Sequence, residues 1–387
     1  MRIEVLTAEG VRNLRPLTLS PRERFNVFVG DNGQGKTNLL EAIYAVATLR
    51  SFRTARLADL IAFEGAGAAA ASDGAGLAAS ESYVPRANEA RIGARVLKEE
   101  LVRVYEVAIG QGARRVTLDG KAARPLARYF GGFNVVVFTP EDLGLPRGSP
   151  GDRRRFLDRA VFNLRPEYLA QMQDYEKVIK QRNTVLKMAG QGAIAPPRVN
   201  ELLEVYDAQL APLALSVANA RAEMVERISG ELAQAFADIT RTGLTARARY
   251  VSKIAGTSVE VVAQMIRDAR TKELATNATQ TGPHRDDLAF ELEQRDAGAF
   301  ASQGQLRAIM LAWKSAELAV LARAHADRPI LLLDDVSSEL DPARNQYLFE
   351  HLAGGAGQCF ITTTDGRHVL LDRDRADYRI RNGEISS

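Results

Sequence analysis

The stretch GDNGQGKTN, residues 30–38, decides the fold. It matches G-x-x-x-x-G-K-[ST], a pattern in which glycines let successive backbone N–H groups turn toward one anion. The apolar run FNVFV precedes it at residues 25–29, and residues 38–49 carry apolar side chains at helical spacing. Strand, loop and helix in this order predict a phosphate-binding loop at a helix N-terminus. A glycine-rich turn without a ligand is the alternative, which the flanking strand and helix disfavour.

A second part of the same site is expected about three hundred residues later, in ILLLDD at residues 330–335. An apolar strand ending in Asp334 would place its carboxylate where it can hold magnesium together with Thr37. The next residue, Asp335, is in position to polarise an attacking water. Buried strands often end in an acid, so this run alone is weak evidence for a magnesium site. The phosphate-binding loop at residues 30–38 is what favours that interpretation. Together they predict Lys36, Asp334 and Asp335 as the catalytic residues.

Composition sets the broad class of the protein. The chain has 387 residues, 46% of them hydrophobic, which suffices for one large or two medium domains. The single cysteine, Cys359, excludes an internal disulfide and fits a reducing compartment. The N-terminus lacks the features of a signal peptide, and no run of 18 or more apolar residues occurs. We therefore expect a cytoplasmic protein without a membrane partner.

The pattern along the chain predicts an α/β protein with a helical insert. We expect three parts: residues 1–145 and 281–387 forming a nucleotide-binding lobe, and residues 146–280 a basic, mainly helical second lobe. Residues 64–80, rich in Ala and Gly, are interpreted as a loop. Strands are predicted at residues 2–7, 14–19, 25–29, 101–109, 114–118, 134–138, 329–333 and 359–363. Helical stretches are predicted at residues 38–49, 152–190, 200–239, 305–326 and 342–352, and Asn382 with Gly383 predicts a turn.

Positive charge is concentrated in the insert. The whole chain carries a formal net charge of only +3, yet residues 147–198 contain eleven Lys/Arg against five Asp/Glu. Few aromatic residues interleave, so this segment predicts contacts to a nucleic-acid backbone with little sequence preference. A solvated helix face paired with neighbouring acids is the alternative. The DNA-binding candidates are Arg153, Arg154, Arg155 and Arg159, followed by Lys177, Lys180, Arg182 and Lys187.

Two further motifs flank the acidic strand. SQGQLR, residues 302–307, places a serine and a glycine where a long helix begins, which is either an ordinary N-cap or a second anion-binding helix terminus. SSELD, residues 337–341, follows the acids directly.

In this order the motifs resemble the ATP-binding cassette heads of the SMC class and, more narrowly, the RecF family of bacterial recombination mediators. The closer match rests on GDNGQGKTNLLEAI, TPEDLGL, GSPGDRRRFLD, TGPHRDDL, SQGQLR, LLLDDVSSELD and ITTTD, which span nearly the full chain. The resemblance implies a P-loop ABC-type ATPase head, a mixed sheet with helices, carrying an inserted helical lobe.

The resemblance also implies function. Such proteins bind ATP with Mg²⁺, form an ATP-dependent homodimer, bind double-stranded, gapped or junction DNA, hydrolyse ATP slowly, and act with RecR and RecO to load RecA. The signature of one subunit would face the nucleotide held by the other. The residues that this assigns to the nucleotide are Gly30, Asp31, Asn32, Gly33, Gln34, Gly35, Lys36, Thr37, Asn38, Ser302, Gly304, Gln305 and Asp341.

The chain departs from the expected pattern, most clearly at Leu306 and Asp335. Leu306 stands where a glutamine is expected, and Asp335 replaces the glutamate usual in the wider class, which favours slow turnover. For His284 we favour a structural or nucleotide-coupling role over catalysis, and the histidines and cysteine give no metal-ligand spacing. The ATPase subunit of an ABC transporter is the main alternative function, and a GTPase or small-molecule kinase the third.

Overall fold

The computed structural model describes residues 1–62, 87–353 and 355–386, and the chain divides into two compact units. One unit contains Met1–Leu143 together with Leu318–Ser387, and the other is Gly144–Glu317. The sequence-based division after residues 145 and 280 stays a prediction. The loop predicted at residues 64–80 lies outside the described residues. Within the described ranges, no helix is both long and apolar enough to cross a membrane.

Helices and strands alternate along the first unit before the chain enters the second. These elements are β1 (Arg2–Glu9), β2 (Leu17–Leu19), β3 (Phe25–Val29), α1 (Lys36–Thr48), β4 (Glu89–Lys98), β5 (Leu101–Gly110), β6 (Arg114–Leu118), β7 (Lys121–Ala122), β8 (Val135–Phe138) and α2 (Pro140–Leu143). The second unit contains α3 (Pro150–Leu164), α4 (Tyr168–Gly190), α5 (Pro196–Thr240), β9 (Ala246–Val251), α6 (Val259–Thr276), β10 (Asp287–Leu292), β11 (Arg295–Asp296), α7 (Ala297–Phe300) and most of α8 (Gln303–His325). The chain then forms β12 (Ile330–Asp334), α9 (Pro342–Tyr347), a π-helical turn (Leu348–Ala353), β13 (Cys359–Thr363), β14 (Arg375–Arg381) and β15 (Glu384–Ser386).

One sheet of the first unit brings distant parts of the sequence together. Its strand order is β15-β14-β3-β13-β12-β8, and all neighbours are parallel except β15. Strands β8, β12 and β13 are buried along their whole length, as expected for parallel strands covered on both faces. Because parallel strands share one carboxyl edge, the loop after β3 and the acids that end β12 lie at the same edge, separated by β13.

A second, antiparallel sheet of the first unit, β2-β1-β4-β5-β6-β7, covers α1. Strand β4 alternates buried Ala90, Ile92, Ala94 and Val96 with outward residues, and these buried side chains join α1 and the parallel sheet in one hydrophobic core. Packing of α1 between the sheets therefore fixes the direction of its N-terminus, where the glycine-rich loop ends.

The second unit is mainly helical and also contains the three-stranded sheet β11-β10-β9. Helix α3 begins at Pro150 after a reciprocal capping box between Ser149 and Asp152. The helical stretch predicted for residues 152–190 is divided into two helices, because the chain breaks at Arg165 and Pro166 between α3 and α4. Proline lacks the N–H that a helix interior requires. Only Leu17–Leu19 of the strand predicted at residues 14–19 is extended, directly after Pro16.

Candidate nucleotide site

The glycine-rich loop connects β3 to α1 with its backbone turned by glycines. Gly33 and Gly35 have φ values of 79° and 110°, in the left-handed region that side chains disfavour. Gly35 is the N-cap of α1, and within the described part of the chain no side chain caps this helix. The first N–H groups of α1 therefore remain available to an anion, at the positive end of the helix dipole.

Lys36 closes the loop from the inside. Its Nζ donates to the carbonyl oxygens of Gly30 at 2.6 Å and Asp31 at 2.9 Å. Burial lowers the pKa of Lys36, whereas the neighbouring carboxylates of Asp335 and Asp334 act in the opposite direction. A partly dehydrated ammonium group beside free helix amides is suited to a terminal phosphate.

Asp334 lies at the end of β12 and reaches the loop. Its Oδ1 accepts hydrogen bonds from the hydroxyl of Thr37 at 2.9 Å and from that of Thr362 at 2.8 Å. Burial raises the pKa of the Asp334 carboxyl, and the two hydroxyl groups partly offset this, while the negative charges of Glu141 and Asp335 add to it. The structure thus brings Thr37 and Asp334, the two predicted magnesium ligands, into direct contact.

Asp335 follows Asp334 in a left-handed conformation, with φ 49°. Its backbone N–H donates to the backbone and side-chain oxygens of Thr362, both at 3.1 Å. The Oδ1 atom of Asp335 is buried and has no hydrogen-bond partner among the described residues. Such an orphaned acceptor beside Asp334 is what a bound water or metal-linked ligand would satisfy.

The loop and the acidic strand end fit magnesium and a nucleoside triphosphate. Across the described ranges no group of three or more His, Cys, Asp or Glu side chains could hold a metal ion alone. A Mg²⁺ ion usually takes one or two protein ligands and completes its shell with phosphate and water. The Thr37 hydroxyl and the Asp334 carboxylate match that arrangement, so the donor set fits a metal that arrives with the nucleotide.

The predicted signature starts α8 in the second unit. Ser302 and Gln305 form a reciprocal cap, in which the Ser302 N–H donates to Gln305 Oε1 at 2.8 Å and the Gln305 N–H donates to Ser302 Oγ at 3.2 Å. Ser302 is exposed, Gly304 is half-buried, and Leu306 is buried. The leucine that departs from the family pattern therefore packs inside the fold, where a glutamine would need a polar partner.

Asp341, the other predicted nucleotide contact, caps α9. Its Oδ1 accepts from the N–H of Arg344 at 3.2 Å, and the two side chains form an ion pair. Of the remaining predicted contacts, Asp31 and Asn32 are exposed on the loop, Gly30 and Gln34 are half-buried, and the Asn38 side chain donates to Asn13 Oδ1 at 2.6 Å. Nucleotide roles for these residues stay predictions.

The predicted DNA-binding arginines occupy different surroundings. Arg153 pairs with Asp287 through two hydrogen bonds of 2.8 and 2.6 Å, and Arg154 donates to the Asp286 carbonyl at 2.9 Å. The Arg159 guanidinium lies 5.5 Å from the centre of the Phe156 ring. Only Arg155 of the four is exposed, with 79% of its side chain accessible, and it pairs with Asp152 on the same helix. All four arginines thus have contacts within the fold, and their DNA role stays a prediction.

His284 lies in a hydrogen-bonded position within the second unit. Its Nδ1 is 2.5 Å from the Tyr175 hydroxyl, and its Nε2 is 3.0 Å from the Thr279 carbonyl oxygen. Burial lowers the pKa of His284, and the positive charges of Arg285, Arg154 and Arg182 act in the same direction. These contacts support a structural role.

Two site residues were not predicted from the sequence. Thr362 fixes both aspartates, and Glu141 acts on Asp334 from the helix after the neighbouring strand β8. The three threonines at residues 362–364, at the end of strand β13, are the sequence feature that could have identified Thr362 as a site residue. For Glu141 only the parallel pairing of β8 with β12 shows the proximity.

Comparison with known proteins gives a consistent result. A family described as "RecF/RecN/SMC N terminal domain" matches residues 2–381. The protein "DNA replication and repair protein RecF" of Geobacter sp. (strain M21) is 38% identical over 395 residues, covering 100% of both chains. A protein of the same description from Myxococcus xanthus (strain DK1622) is also 38% identical, over 95% of this chain and 92% of the other.

Among solved structures, "Structure of the recombination mediator protein RecF-ATPrS in RecFOR pathway" matches with a TM-score of 0.83 and 25% identity, covering 99% of this chain and 97% of the other. An SMC head bound to the C-winged helix domain of ScpA matches with a TM-score of 0.53 at 16% identity, covering 100% and 97%. The second likeness concerns the fold alone. The predicted α/β P-loop head with an inserted helical lobe is confirmed.

Proposed function

The chain belongs to the RecF family, and from that premise we propose that it is an ATP-switched DNA-binding protein of recombinational repair. It dimerises on Mg²⁺-ATP, binds double-stranded, gapped or junction DNA, and helps RecR and RecO load RecA in the cytoplasm. Slow ATP hydrolysis, stimulated by DNA, reverses the cycle. The observation that carries this proposal is the 2.9 Å hydrogen bond between Thr37 and Asp334, which joins the phosphate loop to the distant acidic strand.

The site residues divide the catalytic work. Backbone N–H groups at the start of α1 bind the phosphates, and the Lys36 ammonium moves from its loop carbonyls toward the terminal one. Magnesium and ATP, when bound, supply the neutralised, electrophilic terminal phosphate. Asp334 and Thr37 would hold the ion beside the loop, and the Oδ1 of Asp335, which has no partner among the described residues, would accept a hydrogen bond from the attacking water and so orient it. An aspartate reaches less far than a glutamate, which accounts for slow turnover.

A second copy completes the site in this proposal. Ser302 is exposed at the start of α8, where a helix N-terminus favours negative charge. We assign Ser302, Gly304 and Gln305 to the γ-phosphate held by the other subunit. Nucleotide thereby links the two copies, and dimerisation depends on the triphosphate.

The DNA surface is better assigned to exposed cations than to the half-buried Arg153, Arg154 and Arg159. Lys177, Lys180 and Lys187 on α4 are exposed, and their spacing of three and seven residues places them on one helix face. Arg155 on α3 is a further candidate. Contacts of this kind neutralise backbone phosphates, so affinity should fall with salt by a slope of about −0.9 per phosphate.

A combined measurement tests the proposed function. Molecular mass by light scattering and binding of a gapped duplex are followed together in Mg²⁺-ATP, in Mg²⁺-ADP and without nucleotide. The proposal predicts a doubled mass and tighter DNA binding in Mg²⁺-ATP. A glutamate triple variant of Lys177, Lys180 and Lys187 should dimerise normally and bind DNA weakly. A mass and a DNA affinity that ignore the nucleotide would refute the proposal and favour another class of ATPase, such as a transporter subunit.

A further inference from the structure

Two successive carbonyl groups of the phosphate loop are held from outside by other segments of the chain. The Asn13 side chain, in the β1–β2 connection, donates from Nδ2 to the Gly33 carbonyl oxygen at 2.9 Å. The backbone N–H of Gly383, in the β14–β15 turn, donates to the Gln34 carbonyl oxygen at 2.9 Å. The C-terminal hairpin thus contacts the loop directly, although about 350 residues separate them in sequence.

The contact between the C-terminal turn and the loop is specific. The N–H of Asn382 donates to the Gln34 side-chain oxygen at 2.6 Å, so Gln34 accepts hydrogen bonds from the turn at both its backbone carbonyl and its side chain. The Gly383 carbonyl in turn accepts from the Arg15 N–H at 3.0 Å. Gly383 has φ 75°, and a Cβ there would lie 1.9 Å from the Asn13 carbonyl oxygen. No residue larger than glycine fits at position 383 without separating the two segments.

Peptide geometry gives these contacts a consequence for anion binding. In a planar trans peptide the C=O and the following N–H point in opposite directions. Holding the Gln34 carbonyl against Gly383 therefore directs the Gly35 N–H to the other side of the loop, at the uncapped start of α1. Asn13 holds the preceding peptide at the Gly33 carbonyl, and the N–H of that peptide, from Gln34, donates to the Asp31 carbonyl oxygen at 3.5 Å. Lys36 already occupies the carbonyls of Gly30 and Asp31.

We propose that Asn13 and the turn at Asn382 and Gly383 are positioning residues, which hold the phosphate loop in its anion-binding conformation before nucleotide arrives. The C-terminal hairpin is then part of the nucleotide site and more than an edge of the sheet. This inference rests on the proposed function, because it requires that the loop binds a nucleotide. Preorganisation of this kind matters since an unheld loop must order its peptides at the expense of affinity.

Three variants test the inference. Gly383→Ala forces the turn away from Asn13 and the loop, and Asn13→Ala removes a single side chain. Gly120→Ala is the matched control, since Gly120 also has a positive φ, 73°, in a hairpin turn, but a Cβ there meets nothing within 4 Å. It carries the backbone strain without the loop contact. Affinity is measured by titrating a fluorescent ATP analogue with Mg²⁺, and hydrogen exchange is followed at residues 33–35 and in β12.

The expected result separates positioning from stability. Gly383→Ala and Asn13→Ala should bind the analogue about tenfold more weakly, because each change releases a loop peptide and so weakens the hydrogen bonds from the loop to a charged phosphate. Nucleotide-induced protection of residues 33–35 should be lost in both, with protection of β12 unchanged, and Gly120→Ala should match the parent. Parent-like affinity in Asn13→Ala, or in folded Gly383→Ala, overturns the inference while the proposed function stands. A parent chain that binds no nucleotide overturns both.

Discussion

Replacing Arg182 by methionine should destabilise the helical unit severely, although sequence placed this residue among the DNA-binding candidates. Arg182 is fully buried on α4 and makes three side-chain hydrogen bonds within its unit. Nε donates to Asp207 at 2.7 Å, Nη2 to Glu273 at 2.6 Å, and Nη1 to Thr279 at 2.9 Å. The guanidinium is therefore the centre of a buried polar network.

The magnitude follows from what each partner loses. Asp207 keeps a second cation, since Arg270 donates to it at 2.7 Å. Glu273 is 0% exposed and keeps only the Gln280 N–H, at 2.7 Å, among the described contacts. Leaving one buried carboxylate uncompensated costs about 3–5 kcal/mol. For a unit of this size that corresponds to a melting temperature lower by roughly 6–20 °C.

Urea unfolding provides the assay. The single tryptophan, Trp313, is buried in the same unit, so its fluorescence reports the unfolding of that unit. Lys180→Met, on the exposed face of the same helix, is the control and should unfold like the parent. Adding Glu273→Gln to Arg182→Met should recover part of the loss, because the unpaired charge is gone. An Arg182→Met protein as stable as the parent but defective in DNA binding would refute this reasoning.

The remaining predictions concern the nucleotide site. Lys36→Arg should keep most ATP affinity but lower turnover by about a hundredfold, because a larger donor misaligns the terminal phosphate; unchanged turnover would exclude Lys36 from the mechanism. Asp334→Asn should abolish turnover yet raise the melting temperature at pH 8. The raised pKa of Asp334 means that its ionised form opposes folding, so the gain should shrink as pH falls, and a gain that grows toward acid pH would contradict this sign. Ser302→Arg should leave ATP binding intact and prevent the mass increase in Mg²⁺-ATP, as measured by light scattering.

Local patterns predicted the nucleotide-binding elements well. The run FNVFV, the glycines and the helical spacing after them correspond to β3, the loop and α1, and ILLLD corresponds to β12. These segments are predictable because each has a local sequence signal: a continuous apolar run for a strand, closely spaced glycines for the loop, or apolar residues at helical spacing for the helix. Strand β4, EARIGARVLK, was not predicted, since small and charged residues hide its alternation.

Contacts between residues far apart in the sequence could not be predicted from local sequence patterns. Nothing in the local pattern of Arg182 distinguishes it from Lys180, because the difference depends on the packing of α4 against α5 and α6. The turn signal of Asn382 and Gly383 was visible, but its contact with Gln34 depends on β14 pairing beside β3. Similarly, the sequence around Arg153 does not indicate an ion pair, because its partner Asp287 is brought beside it only by the fold. Tertiary partners decide which charges are structural and which face solvent.

A mixing experiment tests most directly whether one copy's loop and acids work with another copy's signature. Asp335→Asn removes the water-orienting group and Ser302→Arg blocks the signature, so each protein alone should hydrolyse almost no ATP. In a mixed dimer, one of the two sites combines an intact loop and acid pair with an intact signature. We predict that mixing the two inactive proteins restores ATP turnover well above their sum. Turnover that stays at the level of the separate variants, in a mixture shown by co-purification of a tagged copy with an untagged one to contain mixed dimers, would contradict the shared site.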